Sequence, residues 1–462
     1  MFHTSKNAEK KGLNIIIVGC GKVGFTLAET LSSEGHDISV VDNKEDALSR
    51  LSALDVITIK GNGSSYRVLL DAGVKDCDIL IAVTNRDEIN LLCCLIAKKA
   101  GNCRTIARVR NPEYYGEIDF IKDELGLSLA INPELAAASA IYHLIRCPSA
   151  IDLNSFAKGR VQMLSLVLPE HSPWDGRSLI DISAERSTPL LIPIVESHQK
   201  AVIPDGRTVL HAGDRVSIIV PNELLGDTFQ RVGICSKPIK DVMIMGGGTV
   251  AYYLARRLIQ SHIHVTIIEL DKQRCEELSD LLPRANVIYG NASNEQLLLE
   301  EGLERTDAFV SLTNFDEENI MLALYANKMS HAKLITKINK TNFNCVIDEI
   351  PVGSVVSPKH LTAETILHYA RALRPSPDSD MEAVHMLADN QVEALAFRIK
   401  DQSSVTNQTL NDMHIKKGVL VGAIIREGKV IVPSGQDCIL PGDFIIIVTT
   451  LKRINSIRDI LE

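Results

Sequence analysis

Aromatic side chains are scarce. They make up 4% of the 462 residues, and Trp174 is the only tryptophan. Cores must then be built from Ile, Val, Leu and Ala, which suit parallel sheets covered by helices. Positive charge is also short: 49 Lys and Arg stand against 58 Asp and Glu, a formal net charge of -9. That argues against general nucleic-acid binding, because neutralising phosphates takes clustered cations. No apolar run approaches the ~18 residues that a membrane-spanning helix needs, and the polar segment Met1–Lys11 holds no apolar stretch of a secretory leader. Ten cysteines are present, yet none pair as Cys-x-x-Cys. Cys20, Cys94 and Cys345 lie in apolar runs and read as small buried hydrophobes in a reducing compartment. Histidines do not cluster: His36, His143, His262, His264 and His360 are isolated, so no metal site is expected. No Tyr-x-x-x-Lys occurs, and no serine has an evident His and Asp companion.

What the chain does have, it has twice. Gly19-Cys20-Gly21-Lys22-Val23-Gly24 returns 227 residues later as Gly246-Gly247-Gly248-Thr249-Val250-Ala251. Each loop follows an apolar run, Asn14–Val18 or Val242–Met245, and each is followed 18 residues past its end by an acid, Asp42 or Glu269. The matches continue in order. Gly61-Asn62 answers Gly290-Asn291, Ala72-Gly73 answers Glu301-Gly302, Thr84-Asn85 answers Thr313-Asn314, and Asp87-Glu88-x-Asn90 answers Asp316-Glu317-x-Asn319. The offset grows from 227 to 229 after the second strand, so two residues are inserted between Glu269 and Gly290.

Strands are predicted at Ile15–Gly19, Ile38–Asp42, Val56–Lys60, Ile79–Thr84 and Thr105–Val109, with helical periodicity between them. Strands alternating with helices give a doubly wound parallel sheet. A second unit also repeats. Pro204-Asp205-Gly206 and Gly213-Asp214 precede one short strand, and Pro433-Ser434-Gly435 and Gly442-Asp443 precede another; both sets read as turns in small β-rich domains. The predicted order is a Rossmann-like domain at 13–133, a crossover helix at 134–149 and a small β-rich α+β domain at 150–233. A second Rossmann-like domain at 239–358, a crossover helix and linker at 359–377, and a second small domain at 378–462 then follow. The Pro375–Asp380 segment reads as linker.

The loops explain themselves physically. Gly19 permits a tight turn out of the first strand, Gly21 lets backbone N–H groups approach a phosphate, and Gly24 lets helix pack on strand. The helix opening near Lys22 turns its positive end toward that phosphate. Asp42 is placed to accept from ribose hydroxyls, which favours NAD(H) or an adenine nucleotide such as ATP or ADP over NADP(H). In the second copy, Gly246, Gly248, Thr249 and Val250 with Glu269 either bind a nucleotide or form a structural remnant, since Ala251 replaces the last glycine. Thr84, Asn85 and Thr313 follow the fourth strand, at the edge where such sheets bind ligands, and Gly61, Asn62 and Asn291 follow the third. Asp87 and Asp316 are expected to cap the next helix. Arg108 meets a phosphate or forms a surface or inter-subunit salt bridge; its counterpart is Lys337.

These matches, with Thr105-Ile-Ala-Arg-Val-Arg-Asn-Pro-Glu-Tyr114, resemble the TrkA family of potassium-uptake regulators from about Leu13 to the C-terminus. That family consists of tandem RCK units, each a TrkA-N lobe and a TrkA-C lobe. The resemblance implies a non-enzymatic subunit peripheral to the cytoplasmic face of the membrane. It implies a homotetramer closing an eight-unit ring on a TrkH- or TrkG-like potassium-translocating partner, with no nucleic acid involved. The helices at 134–147 and 359–373 are then candidate hinges. Ala251 and Lys337 depart from the pattern and leave the second ligand open. An NAD-dependent dehydrogenase is the main alternative, but the small domain offers no catalytic acid or base. A redox-sensing transcription factor is disfavoured by the acidic charge.

Overall fold

Four of the five residues in Asn14-Ile-Ile-Ile-Val18 are β-branched and buried. A run buried on both faces belongs at the centre of a parallel sheet, and that is where it lies. The structure is a computed structural model that describes residues 12–184, 190–197, 200–234, 237–339, 347, 350–373, 376, 378–388, 391–401, 403–452 and 454–462. Met1–Lys11, Cys345, Pro375 and Pro377 fall outside the described residues. The described chain forms two compact units. One runs to Ala137 and includes Ser357–Leu367; the other comprises Ala138–Val356 and His368–Glu462.

The first unit is a six-stranded parallel sheet of β1 (Asn14–Val18), β2 (Asp37–Asp42), β3 (Ile57–Lys60), β4 (Ile79–Ala82), β5 (Arg104–Arg108) and β6 (Leu129–Ile131). Its order is β3-β2-β1-β4-β5-β6, with parallel pairing at every junction. The order reverses between β1 and β4, which opens a crevice at the carboxyl ends of the strands. Helices Lys22–Ser33 and Asp87–Gly101 cover the sheet. Cys20 and Cys94 are wholly buried, as expected of small hydrophobes.

The second unit repeats that sheet with β12 (Asp241–Met245), β13 (His264–Glu269), β14 (Asn286–Tyr289), β15 (Ala308–Ser311), β16 (Lys333–Lys337) and β17 (Ser354–Val356), in the order β14-β13-β12-β15-β16-β17. It also holds two antiparallel sheets. One has β7 (Asp152–Phe156), β8 (Val161–Val167), β9 (Leu191–Ser197), β10 (Lys200–Val202) and β11 (Arg215–Pro221), ordered β7-β8-β11-β9-β10. The other has β18 (Ser379–Leu387), β19 (Val392–Ile399), β20 (Val419–Arg426), β21 (Lys429–Ile431) and β22 (Phe444–Thr449), ordered β18-β19-β22-β20-β21. The topologies are the same, so the duplication extends to the small lobes, and the expected fold class holds. The Gly-Asp turns are as read: the Oδ2 of Asp214 accepts from the His211 N–H at 2.9 Å, and that of Asp443 from the Leu440 N–H at 2.8 Å. β11 and β22 begin one residue later.

Two features of this unit go beyond the sequence reading. The antiparallel sheets share one apolar core, in which Phe156, Met163, Ile194 and Ile219 pack with Ala394, Ala396, Ala423 and Ile446. The helix Pro133–Arg146 follows the first parallel sheet, yet from Ala138 onward it belongs with the second. Its Tyr142 hydroxyl meets Ser261 Oγ at 2.8 Å, and Arg257 donates to Ser139 Oγ at 3.1 Å. The Arg257 guanidinium stacks 4.1 Å above the Tyr142 ring.

Candidate functional site

In the first unit β1 ends at Val18, and Gly19 turns the chain with φ +101°. The turn is tight: a Cβ on Gly19 would lie 2.9 Å from the Thr84 nitrogen, and one on Gly24 would lie 1.8 Å from the Gly19 carbonyl oxygen. Both glycines are therefore required by the protein's own packing. Gly21 is different. A Cβ there meets nothing within 4 Å, so its missing side chain leaves space above the helix Lys22–Ser33. No side chain caps that helix, and its leading N–H groups point into the space with the positive end of the dipole. Lys22 is exposed, while Val23 is buried and anchors the first turn.

Asp42 holds this loop. Its Oδ2 accepts from the Cys20 N–H at 2.6 Å and its Oδ1 from the Lys44 N–H at 2.9 Å. Each oxygen keeps a further lone pair for a hydroxyl. Arg50 donates to the Cys20 carbonyl at 2.8 Å; it was not singled out from the sequence. Burial pushes the Cys20 thiol up, so it stays protonated and packs as an apolar group. The Gly61 N–H donates to the Asp42 carbonyl at 2.9 Å, and Asn62 closes an Asx turn onto the Ser64 N–H at 3.0 Å.

Across the crevice, wholly buried Asn90 is the organising residue. Its Oδ1 accepts from the Thr84 N–H at 2.8 Å and hydroxyl at 2.7 Å, and its Nδ2 donates to the Arg108 carbonyl at 2.9 Å. The ends of β4 and β5 are thus stapled together beside Gly19. Asn85 is exposed, and Arg110 donates to its carbonyl. Arg108 makes a half-sheltered ion pair inside its own unit. Its partner is Glu134 at 2.6 Å, both side chains only about 15% exposed. Arg108 Nε and Glu134 Oε2 remain buried without a hydrogen-bond partner, spare valences that a polar ligand can meet. Asp87 and Asp316 do not cap their helices. The cap positions are Arg86 and Phe315, and the two aspartates instead accept from the N–H groups of Arg110 and Asn339, at 2.7 and 3.0 Å. Each carboxylate serves the neighbouring loop instead of its own helix end.

The second unit repeats this arrangement with changed parts. Gly246 turns at φ +92°, Gly248 again has nothing within 4 Å of an added Cβ, and no side chain caps the helix Thr249–Gln260. Thr249 is half-buried and Val250 buried. Glu269 accepts from the Gly247 N–H at 2.5 Å and the Asp271 N–H at 2.8 Å, and Arg274 donates to the Gly247 carbonyl at 2.9 Å, as Arg50 does to Cys20. Asn319 accepts from the Thr313 N–H at 2.8 Å and donates to the Lys337 carbonyl at 2.9 Å. Asn291 makes the same Asx turn, onto Ser293 at 2.8 Å. Lys337 does not repeat Arg108: its ammonium is turned inward onto the Leu312 carbonyl at 2.9 Å. The longer Glu269 is accommodated because Gly247 lies against it; a Cβ on Gly247 would stand 3.1 Å from Glu269 Oε2.

Both arrangements can hold a phosphate over a helix start and hydroxyls beside an acid. Comparison with known proteins bears on the whole chain. The TrkA-N domain family matches residues 15–133 and 242–358, and the TrkA-C domain family matches 163–233 and 394–462. The Trk system potassium uptake protein TrkA of Halomonas elongata is 33% identical over 455 residues, covering 97% of this chain and 98% of its own. A TrkA homolog of Archaeoglobus fulgidus is 31% identical over 451 residues, covering 97% and 100%. Among solved structures, the GsuK channel bound to NAD is similar in fold at 18% identity. Its TM-score is 0.60, over 96% of this chain and 77% of that one.

Proposed function

Because the chain belongs to the TrkA family of Trk-system potassium uptake proteins, with two TrkA-N and two TrkA-C domains, we propose that it is a nucleotide-responsive regulatory subunit. The reading rests on one observation above all. In both copies an acid at the end of the second strand is tied to the glycine loop, beside an uncapped helix whose second motif glycine leaves space that no protein atom fills. That is the place of a nucleotide's phosphate and ribose. Gly19–Gly24, Asp42, Gly61-Asn62, Thr84-Asn85 and Arg108 are the proposed contacts in the first copy. Gly246, Gly248-Thr249-Val250, Glu269, Asn291 and Thr313 are those in the second.

NAD(H) is the proposed ligand, with ATP or ADP as alternatives; the GsuK channel, similar in fold, is bound to NAD. Binding shifts the protein only by the difference in affinity between its conformations. The proposed partner is a membrane potassium-translocating subunit, with four copies of this chain completing an eight-unit ring at the cytoplasmic face. Among the described residues no helix is long and apolar enough to cross a membrane, and in this reading the pore is the partner's. The chain's own role is to bind and reshape, with no chemical step.

Thermal unfolding in the presence of NAD⁺, NADH, ATP and ADP tests the reading, with Asp42→Ala, Glu269→Ala and the double variant beside it. A ligand at 100 times its dissociation constant adds about 2.7 kcal/mol, a readable shift. Stabilisation by at least one nucleotide, lost in the double variant, is expected. Unchanged melting with all four would overturn it.

A further inference from the structure

We propose that the two loops select different ligands: the first a nucleotide rich in phosphate charge, the second an adenine dinucleotide of lower charge held through its bases. This rests on the nucleotide reading above and adds the chemistry of each rim. The rims are made by the residues that end the strands or follow them, and there the two copies diverge.

Around the first loop stand Lys22, Lys60, Arg86 and Arg110. The corresponding positions of the second copy, 227 residues on for the loop and 229 thereafter, are Thr249, Tyr289, Phe315 and Asn339. Four cations have become neutral, and two of them aromatic. Of the nearby acids, Asp87 and Glu88 recur as Asp316 and Glu317, while Glu45 and Asp46 give way to Lys272 and Gln273. With four cations lost and one gained at Lys272, the first rim is still the more positive. Two of these cations are available, too. Lys60 and Arg86 are bound only to exposed neighbours, Glu45 at 3.1 Å and Glu88 at 3.7 Å, and pairs of that kind are weak and exchange readily. A polyphosphate gains from such a rim by direct pairing and by steering.

The second rim offers apolar surface instead. Leu270, Tyr289 and Phe315 are 65%, 62% and 69% exposed, where the first copy has Asn43, Lys60 and Arg86. Three large exposed apolar side chains at one sheet edge mark a contact surface. Their placement says with what. Tyr289 is the register partner of Glu269 across β13 and β14, as Lys60 is of Asp42 across β2 and β3. Leu270 follows the acid directly, and Phe315 follows Thr313-Asn314. All three thus surround the position where the sugar and its base come to lie, and flat rings stack on such side chains. A dinucleotide carries two rings for a single pyrophosphate. That trade suits a rim with aromatics and few cations.

Isothermal titration of the full-length protein with ATP and with NAD⁺, at low and high salt, decides the matter. The paired variants are Lys60→Ala/Arg86→Ala and Tyr289→Ala/Phe315→Ala. All four residues are exposed, so the fold is expected to persist, and unchanged melting without ligand checks this. ATP affinity is expected to fall about tenfold or more in the first pair, to be untouched in the second and to weaken steeply with salt. NAD⁺ affinity is expected to fall about tenfold in the second pair, as loss of a stacking surface does, to recover in Tyr289→Phe/Phe315→Tyr, and to change little with salt. If both ligands respond to the same pair, or neither pair matters while binding persists, the two-ligand inference is overturned. If the unaltered protein binds neither ligand, the nucleotide reading beneath it falls as well.

Discussion

Asn90 makes more of the first site than any residue the glycine motif contains. Wholly buried, it satisfies the Thr84 N–H, the Thr84 hydroxyl and the Arg108 carbonyl at once, and Asn319 does the equivalent work for Thr313 and Lys337. Replacing it by Ala strands these groups without the amide that satisfies them. Asn90→Ala is expected to cost about 2–3 kcal/mol in chemical unfolding. Nucleotide affinity should weaken too, because Thr84 backs Gly19. A change below about 0.5 kcal/mol would mean that water replaces the amide. Asn90 was visible in the sequence as a repeated Asp-Glu-x-Asn, but its role was not. Its partners lie 6 and 18 residues away, and only the parallel pairing of β4 and β5 brings them together. Arg50 and Arg274 were harder still: they do the same work at 8 and 5 residues past their acids, so aligning the copies does not match them.

At the scale of elements, the helix Pro358–Ala372 shows how a helix end is secured. Arg371 reaches Glu393 on β19 through two hydrogen bonds of 2.9 and 3.2 Å, with both side chains wholly buried. Among the described residues the first copy has no such lock. Gln162 occupies the place of Glu393 and turns to Ser155 at 3.0 Å, and Arg146 is exposed. Breaking one side of a buried pair leaves an uncompensated charge, so Arg371→Met alone should destabilise by about 3–5 kcal/mol. The double variant Arg371→Met/Glu393→Leu should regain most of that in equilibrium unfolding. Equal losses in the single and double variants would show that the pair's packing, not its charge, holds the helix. Each long helix changes unit partway, at Ala137 to Ala138 and at Leu367 to His368.

For the molecule as a whole, the shared core of the two antiparallel sheets carries a pH dependence. His385 on β18 lies edge-on to Phe156 of the other sheet, with ring centroids 4.9 Å apart. Burial, helped by nearby His368, lowers its pKa from 6.5 to about 4; burial likewise lowers that of His368. An unfolded chain then binds a proton between pH 6.5 and 4 that the folded one refuses. Stability is therefore whole above pH 6.5 and is lost as the pH falls toward 4. One such shift is worth about 2 kcal/mol at pH 5. His385→Leu should flatten that slope, read as the difference in unfolding free energy between pH 7.5 and pH 5. A slope unchanged by the substitution would assign it to other groups.

The sequence by itself determined the fold class, the tandem order and the two loops with their acids. These are local signals: a β-branched run, a glycine spacing and an acid at a set distance need no distant partner to be read, and repetition doubles each of them. Tertiary structure alone decided the rest. It drew Arg108 onto Glu134 and turned Lys337 inward, and it made Asp87 and Asp316 loop anchors in place of helix caps. It sent the helix after the first sheet onto Arg257 of the second, and it joined the two small lobes through one core. Each of these depends on which surfaces meet across hundreds of residues, and periodicity along the chain carries no record of that.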